Sequence, residues 1–305
     1  MSAPRVCVVG SLHFDIMVQA PYLPRPGETL IGDAWWWKAG GKGGNQAMAA
    51  ARHGARTSMI GRLGGDAFGA RLRERLEAAG VRLADMRTAV QGSGMSIAIQ
   101  QADGDYAAVV VSGANLELDE AAIAGSADAL RDAAVLVLQH EIADAANVAA
   151  ARVAHEAGAI VVLNAAPARP LGGMAGLVDL LVVNTVEAEQ LGAAPVSDLA
   201  SAARAARDLQ RLAADVIVTA GGAGVAAACR GAEAAVPAHP VERPQTHGAG
   251  DVFVGALAAR LAHDDALPDA LRYANAAAAL HVGTPLTARD ALGAADVERL
   301  LAATA

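Results

Sequence analysis

Val135-Leu136-Val137-Leu138, Ile160-Val161-Val162-Leu163, Leu180-Leu181-Val182-Val183 and Val216-Ile217-Val218-Thr219 recur through the second half of the chain as short apolar runs. Alanine-rich stretches with helical spacing alternate with them at 120–132, 144–157, 187–192 and 198–213. Strands alternating with helices imply right-handed βαβ units and a parallel sheet with helices on its faces. Arg5-Val6-Cys7-Val8-Val9-Gly10 has the same look of a buried parallel strand. The pattern therefore predicts an α/β fold: a doubly wound, Rossmann-like, mostly parallel sheet flanked by helices. Val225 to Arg230 and Ala234 to Val236 read as an edge-type hairpin, and 251–262, 266–282 and 295–304 as helices.

Two segments do not fit that layer. After Ser11 to Val18, turns at Pro21, Pro24 and Pro26-Gly27-Glu28 break the chain, and strand character resumes at Thr29 to Ile31 and Ala34 to Lys38. Gly94 to Gln101 and Tyr106 to Ser112 flank Asp103-Gly104-Asp105, a hairpin signal. Paired together, these segments make a small β-sheet lid. The expected division is a large domain of residues 1–11, 39–92 and 113–305, with a discontinuous lid of 12–38 and 93–112. Thr57 to Gly61 adds a strand to the large domain, and Ala67 to Ala79 a helix stopped by Gly80.

At 305 residues with 54% hydrophobic and only 3% aromatic residues, the chain favours closely packed helices over aromatic-layered sandwiches. A net charge of −8 argues against nucleic-acid or acidic-membrane partners. Cys7 and Cys229 show no metal-ligand or disulfide spacing. With no signal-like N-terminus and no long apolar run, a cytoplasmic location is expected.

In such sheets ligands bind beyond the carboxyl ends of the strands. There the sequence places Gln139-His140-Glu141, Asn164, Asn184 with Glu187, and Thr219-Ala220-Gly221-Gly222. Two glycine-rich segments stand out beside them. Gly40-Gly41-Lys42-Gly43-Gly44-Asn45 runs into a helix ending near Gly54. It lacks the residues of a Walker A loop. It reads either as a flexible strand-to-helix turn or as backbone amides and Asn45 gripping the hydroxyls of a small polyol. Gly222-Ala223-Gly224-Val225-Ala226-Ala227 mimics a dinucleotide fingerprint, but a hairpin follows where a helix is required. Its glycines fit the approach of adenine or phosphate to the backbone. The second strong segment, Thr246-His247-Gly248-Ala249-Gly250-Asp251, opens an apolar helix. Successive N–H groups there form an anion nest. Asp251 is either a helix cap or the carboxylate that accepts an alcohol proton during phosphoryl transfer. Trp35 and Trp37 share one strand face and Trp36 the other, which suits lid packing or a subunit contact better than base stacking.

With both glycine segments in order, the chain resembles the ribokinase-like (PfkB) family of carbohydrate and nucleoside kinases nearly end to end. Gly40 to Ala47 looks like its first signature and Gly248 to Asp251 like its second, while Asn184-Thr185-Val186-Glu187 fits an Asn-x-x-Glu motif. The resemblance implies an ATP-dependent, Mg²⁺-requiring sugar kinase with D-ribose as leading substrate, dimeric through its lid. A nucleoside kinase of the same fold is the rival; it would need a base pocket, for which Phe14, Trp36 and His13 are candidates. A non-catalytic sugar-binding regulator is a third reading, opposed by the intact Asp251 segment.

The resemblance also implies roles. Asp15, Gly41, Lys42, Asn45 and Glu141 would bind sugar hydroxyls. Asp251 would be the general base, and Gly248, Ala249 and Gly250 the anion hole. Asn184, Thr219, Gly221, Gly224 and Asn275 would contact nucleotide, and Glu187 would act on Mg²⁺ through water. Monovalent-cation-activated members carry Asp and Thr where this chain has Gln245 and His247. A neutral amide and an imidazole make a poorer potassium site, so weak or absent potassium activation is expected.

Overall fold

The computed structural model describes residues 5–101, 106–230, 232–242 and 246–304. Its strands are β1 (Arg5–Val9), β2 (His13–Gln19), β3 (Ala34–Gly40), β4 (Arg56–Gly64), β5 (Met86–Ala89), β6 (Met95–Gln100), β7 (Tyr106–Val111), β8 (Val135–Gln139), β9 (Ile160–Asn164), β10 (Leu180–Asn184), β11 (Asp215–Thr219), β12 (Gly224–Cys229) and β13 (Ala232–Pro237). The helices are α1 (Lys42–Arg52), α2 (Ala67–Ala78), α3 (Glu120–Ala124), α4 (Ala127–Arg131), α5 (Asp144–Glu156), α6 (Thr185–Gln190), α7 (Leu199–Leu209), α8 (Ala249–Ala262), α9 (Leu267–Gly283) and α10 (Ala294–Thr304).

Nine strands form one sheet in the order β13-β12-β11-β10-β9-β8-β1-β4-β5. The seven from β11 to β5 run parallel, and the β12–β13 hairpin adds an antiparallel edge. Alternate residues of each strand enter separate cores. Val6, Val8, Val135, Val137, Val182 and Ile217 pack on the side of α1, α8 and α9. Cys7, Val9, Leu136, Leu138, Val183 and Val218 pack on the side of α5 and α7. Both faces are dry, so the strands carry continuous apolar runs instead of alternating ones. At roughly 1.5–3 kcal/mol per fully buried large aliphatic side chain, these faces dominate the folding free energy.

The strand order decides where a ligand fits. β1 lies between β4 and β8, and the chain builds outward from it in both directions. The loops leaving β1 and β8 therefore part company at their carboxyl ends and open a crevice. The start of α1 sits in it, with the Gly44 N–H donating to the Ser11 carbonyl at 3.0 Å.

β3-β2-β6-β7 make a separate four-stranded sheet from the two segments expected to pair. Phe14 anchors one of its faces, stacked between Trp37 (centroids 4.6 Å apart) and Phe68 of α2 (4.2 Å). Trp37 also lies under the Arg71 guanidinium at 5.5 Å. Trp36 projects from the opposite face, level with Met17.

Several expected elements differ. Thr29 to Ile31 is not a strand; after a turn closed by the Glu28 N–H on the Arg25 carbonyl, the chain runs to Asp33 exposed except at the half-buried Leu30. Residues 120–132 form two short helices, because Gly125 and Ser126 break the alanine run. β5 was not anticipated: Met-Arg-Thr-Ala is short, and only Met86 is buried. α6 begins at Thr185 because Asn184 caps it, and α8 begins at Ala249, before the expected Asp251. The Asp103-Gly104-Asp105 turn lies outside the described residues.

Candidate active site

The β3–α1 turn is built around Gly41, whose φ of 82° suits a residue without a side chain. A Cβ there would lie 2.7 Å from the Leu12 Cα, so the turn can press against the end of β1 only as glycine. This close approach brings Glu141, from the loop after β8, against the first turn of α1. Glu141 Oε2 accepts the Lys42 N–H at 2.9 Å and also the Ser11 hydroxyl. Three loops are thus tied by one carboxylate.

The second glycine segment meets the first from across the molecule. Gly248, with φ 82° in the left-handed region, caps α8. Gly248, Ala249, Gly250 and Asp251 make its entry turn, where the first backbone N–H groups have no intrahelical partner and that of Ala249 donates back to the Thr246 carbonyl at 3.2 Å. Asp251 Oδ2 accepts the Asn45 amide at 2.9 Å, although the two residues are 206 apart in sequence. Asp251 Oδ1 accepts the Gln46 amide at 3.1 Å. Gln46 also donates to Asn164 at 3.0 Å and accepts from Gln139 at 2.7 Å. Gln46 and Gln139 are fully buried. Two carboxylate oxygens are therefore aimed by amides, and the Gln46 amide is itself fixed by the strand-end residues Gln139 and Asn164.

Burial pushes the Asp251 carboxyl above its usual range; Lys42, Asn45 and Gln46 oppose that rise, while the Glu141 charge adds to it. A carboxylate made more basic next to a ring of outward N–H groups can take a proton from an alcohol while those groups hold a phosphoryl oxygen.

Asp15 of β2 overhangs this centre from the small sheet, half-buried, accepting the Ser96 hydroxyl at 2.5 Å. Directly across the ladder stands Lys38, whose pKa burial pulls down, opposed by the charges of Asp15 and Asp251. Asp15, Lys38 and Ser96 occupy neighbouring register positions on the face opposite the Phe14–Trp37 stack. Two residues weighed for a base pocket are committed elsewhere. Phe14 is buried in its aromatic stack, and His13 is buried with its ring nitrogen 3.3 Å from the Asn115 amide.

Along the other side of the crevice, Asn184 and Glu187 form a reciprocal capping box at the start of α6, with bonds of 2.8 and 2.9 Å. Burial raises the Glu187 pKa, opposed by the Asn184 N–H and by Lys42 and reinforced by Asp251. Thr219 ends β11 next to Asn184 in the ladder, its hydroxyl 3.4 Å from the Val183 carbonyl. Gly221 and Gly224 form the tight turn into β12. Asn275 of α9 donates to the Pro237 carbonyl at 2.8 Å and so ties that helix to the end of β13.

Asp15, Gly41, Lys42, Asn45, Glu141 and Asp251 thus converge, while Asn184, Thr219, Gly221, Gly224 and Asn275 are spread along the β10–β13 side. The sequence reading assigned no role to Ser11, Lys38, Ser96 or Arg289. It quoted Gln46, Gln139 and Asn164 only as motif or strand-end residues. Polar residues ending buried strands were the available signal for the last two; Lys38 and Arg289 carried none. Among the described residues no three His, Cys, Asp or Glu side chains converge as a metal cage. Mg²⁺ commonly takes one or two carboxylates plus substrate phosphates, a mode that the single carboxylate Glu187 fits. A roomy cavity of about 520 Å³ lies elsewhere, at the amino-terminal ends of β1 and β4, lined by Arg5, Arg56, Arg82 and Asp132 among others.

The family model for pfkB family carbohydrate kinases matches residues 3–292. A ribokinase from Bacillus subtilis is 34% identical over 280 residues, covering 91% of this chain and 92% of that one. A mouse ribokinase is 33% identical over 92% of this chain and 89% of its own. The solved structure of Arabidopsis thaliana ribokinase complexed with ribose and ATP superposes with a TM-score of 0.92 at 30% identity, covering 98% and 99% of the two chains. A chain that matches the family model almost throughout, on a fold that converges both glycine segments on Asp251, belongs to the pfkB family of carbohydrate kinases.

Proposed function

We propose that the protein transfers the γ-phosphoryl group of ATP to the terminal hydroxyl of D-ribose, giving ribose 5-phosphate and ADP. The observation that carries this reading is the Asp251 carboxylate, clamped by Asn45 and Gln46 of the first glycine segment at the mouth of the second. In this mechanism the 5-hydroxyl O–H bond breaks and its proton passes to Asp251. The hydroxyl oxygen forms the new O–P bond as the β,γ-bridging P–O bond breaks, and ADP leaves with that electron pair. Gly248, Ala249 and Gly250 hold the charge that grows on the transferring group. Asp15, Gly41, Lys42, Asn45 and Glu141 bind sugar hydroxyls and place O5 against Asp251. Asn184, Thr219, Gly221, Gly224 and Asn275 line the nucleotide side. Glu187 would hold Mg²⁺ through water, and the ion would shield the negative charge of the phosphates.

Ribose is supported over nucleosides by the ribokinase relatives and by the commitment of Phe14 and His13 to packing and backbone support. A homodimer through the small sheet is supported by the apolar residues exposed on one of its faces: Trp35, Ile97, Val109 and Val111. Two free cysteines support a cytoplasmic setting. Potassium activation should be weak: His247 replaces a hydroxyl residue, and Gln245 lies outside the described residues. Equal initial rates in potassium and tetramethylammonium chloride would agree, and a many-fold potassium stimulation would not. ADP release measured over ribose, other pentoses, fructose phosphates and nucleosides tests the main reading. The highest kcat/KM should fall to ribose; a nucleoside in that place would overturn it.

A further inference from the structure

Arg289 lies in the short helical turn Leu286–Ala291, which precedes α10, and is 6% exposed. Its turn is fastened on the outside: the next residue, Asp290, binds Arg52 at the end of α1 at 2.7 Å and Arg75 of α2 as well. Its guanidinium points inward, beneath the entry turn of α8. Nε donates to the Thr284 carbonyl at 2.9 Å, and Nη1 donates to the His247 carbonyl at 3.2 Å. The same Nη1 lies 3.1 Å from His281 Nε2, which is itself 3.1 Å from the His247 carbonyl.

The proton assignment follows from the chemistry. The His247 carbonyl can only accept, so Arg289 Nη1–H and His281 Nε2–H both donate to it, with His281 in its neutral Nε2–H form. Burial and the neighbouring Arg289 charge hold the His281 pKa at about 4, in keeping with this state.

The His247 carbonyl shares a peptide plane with the Gly248 N–H. In a trans peptide the C=O and N–H bonds point in opposite directions and the unit is rigid. Gripping the carbonyl on one side therefore fixes where the N–H points on the other. Glycine at 248, with its left-handed φ, would otherwise let that plane rotate at little cost. A positive charge on the carbonyl also polarises the amide and makes its N–H a stronger donor.

We propose that Arg289 is a positioning residue for phosphoryl transfer: its guanidinium, with neutral His281, sets and polarises the His247–Gly248 peptide so that the Gly248 N–H faces the transferring group. This rests on the assignment of Gly248 to the anion hole. It makes the charge behind the entry turn a part of the chain itself. Preorganised donors of this kind act mainly on the transition state, so their loss lowers kcat more than it weakens substrate binding.

The test is Arg289→Ala, assayed by ADP release with ribose beside the wild type. A kcat loss of about tenfold to a hundredfold is expected, with KM for ribose within about threefold. Guanidinium chloride, well below its denaturing range, should recover part of the loss when choline chloride at equal ionic strength does not. Independently of turnover, the Gly248 amide resonance of glycine-labelled, ligand-free protein should shift in the variant and move back with guanidinium. Wild-type kcat in Arg289→Ala, an unmoved Gly248 resonance, or a loss that guanidinium leaves unchanged would overturn the proposal. If Arg289→Ala does not fold, Arg289→Lys, which keeps the charge but not the fork, should fold and still lose kcat; wild-type kcat there would overturn it too. An inactive wild type would instead remove the ribose kinase reading.

Discussion

Asp251 is basic for an aspartate because several weak influences act on it in opposite directions. Burial disfavours its charge and Glu141 repels it, while Lys42 and two amides stabilise it. As the proposed base it would have to be unprotonated to work, so activity should fall as acid protonates it. The acid limb of kcat/KM should therefore lie above the ordinary aspartate range. Removing the Lys42 charge with Lys42→Met should move that limb to higher pH, whatever it does to the absolute rate. A limb that stays put or moves down in a full pH–rate profile would dissociate Lys42 from Asp251. Gln46 allows a different test, since its amide serves Asp251, Asn164 and Gln139 at once. Gln46→Leu strands three buried polar groups, each costing about 1–3 kcal/mol. The urea midpoint should drop and kcat fall with it; an unchanged midpoint would show that the network relaxes. Gln46 stood inside a motif read for glycine and Asn45, and nothing in its spacing indicates that its amide turns inward. Asn45 and Asp251 were legible because glycine marks where a backbone must come close. Arg289 was not, since a buried arginine in a short turn has no local pattern.

The elements are held together by a few polar bonds laid over the apolar cores, and one of them reports on pH. His53, at the end of α1, is 6% exposed, meets the Tyr273 hydroxyl of α9 at 3.0 Å and packs edge-on against that ring. Burial and the adjacent Arg52 lower its pKa to about 4, against a weaker pull from Asp296. In the unfolded chain a histidine takes up its proton near 6.5, while the folded His53 resists until about 4. The neutral site therefore stabilises the fold fully above about pH 6.5, and that contribution is lost as pH falls towards 4. Between pH 7 and pH 5 the loss is about 2 kcal/mol. His53→Gln cannot titrate, so its stability should change less over that interval by about this amount in urea unfolding. Identical pH dependence in both proteins would mean that His53 is protonated alike folded and unfolded. The helix length at 144–157 was nearly right from periodicity, because one face is alanine against a strand, whereas the helix expected over 198–213 stops at Leu209. Residues 120–132 and 29–31 were misread because Gly-Ser and the prolines override the residues beside them.

At the scale of the whole molecule, the two sheets meet over the crevice that strand order creates. The doubly wound layer was legible because strands buried on both faces spell unbroken apolar runs, a signal that repeats every few tens of residues. The site was less so, since its pairings span 206 residues between Asn45 and Asp251 and 130 between Ser11 and Glu141. Only the fold brings such residues together. The small sheet turns its Asp15 face to the crevice and leaves Trp35 and Val109, each 68% exposed, on the other. If that face joins two copies, sedimentation should show a dimer, and Val109→Lys should shift it towards monomer. A wild type that is monomeric at every concentration would remove the dimer. In the proposed reaction one carboxylate, clamped between the two glycine segments, accepts the sugar's proton. Asp251→Asn keeps its shape and one carbonyl acceptor but abolishes its basicity. Its turnover with ribose should fall by about 10²–10⁴, with ribose affinity by calorimetry within about threefold of wild type. Turnover close to wild type would contradict the account.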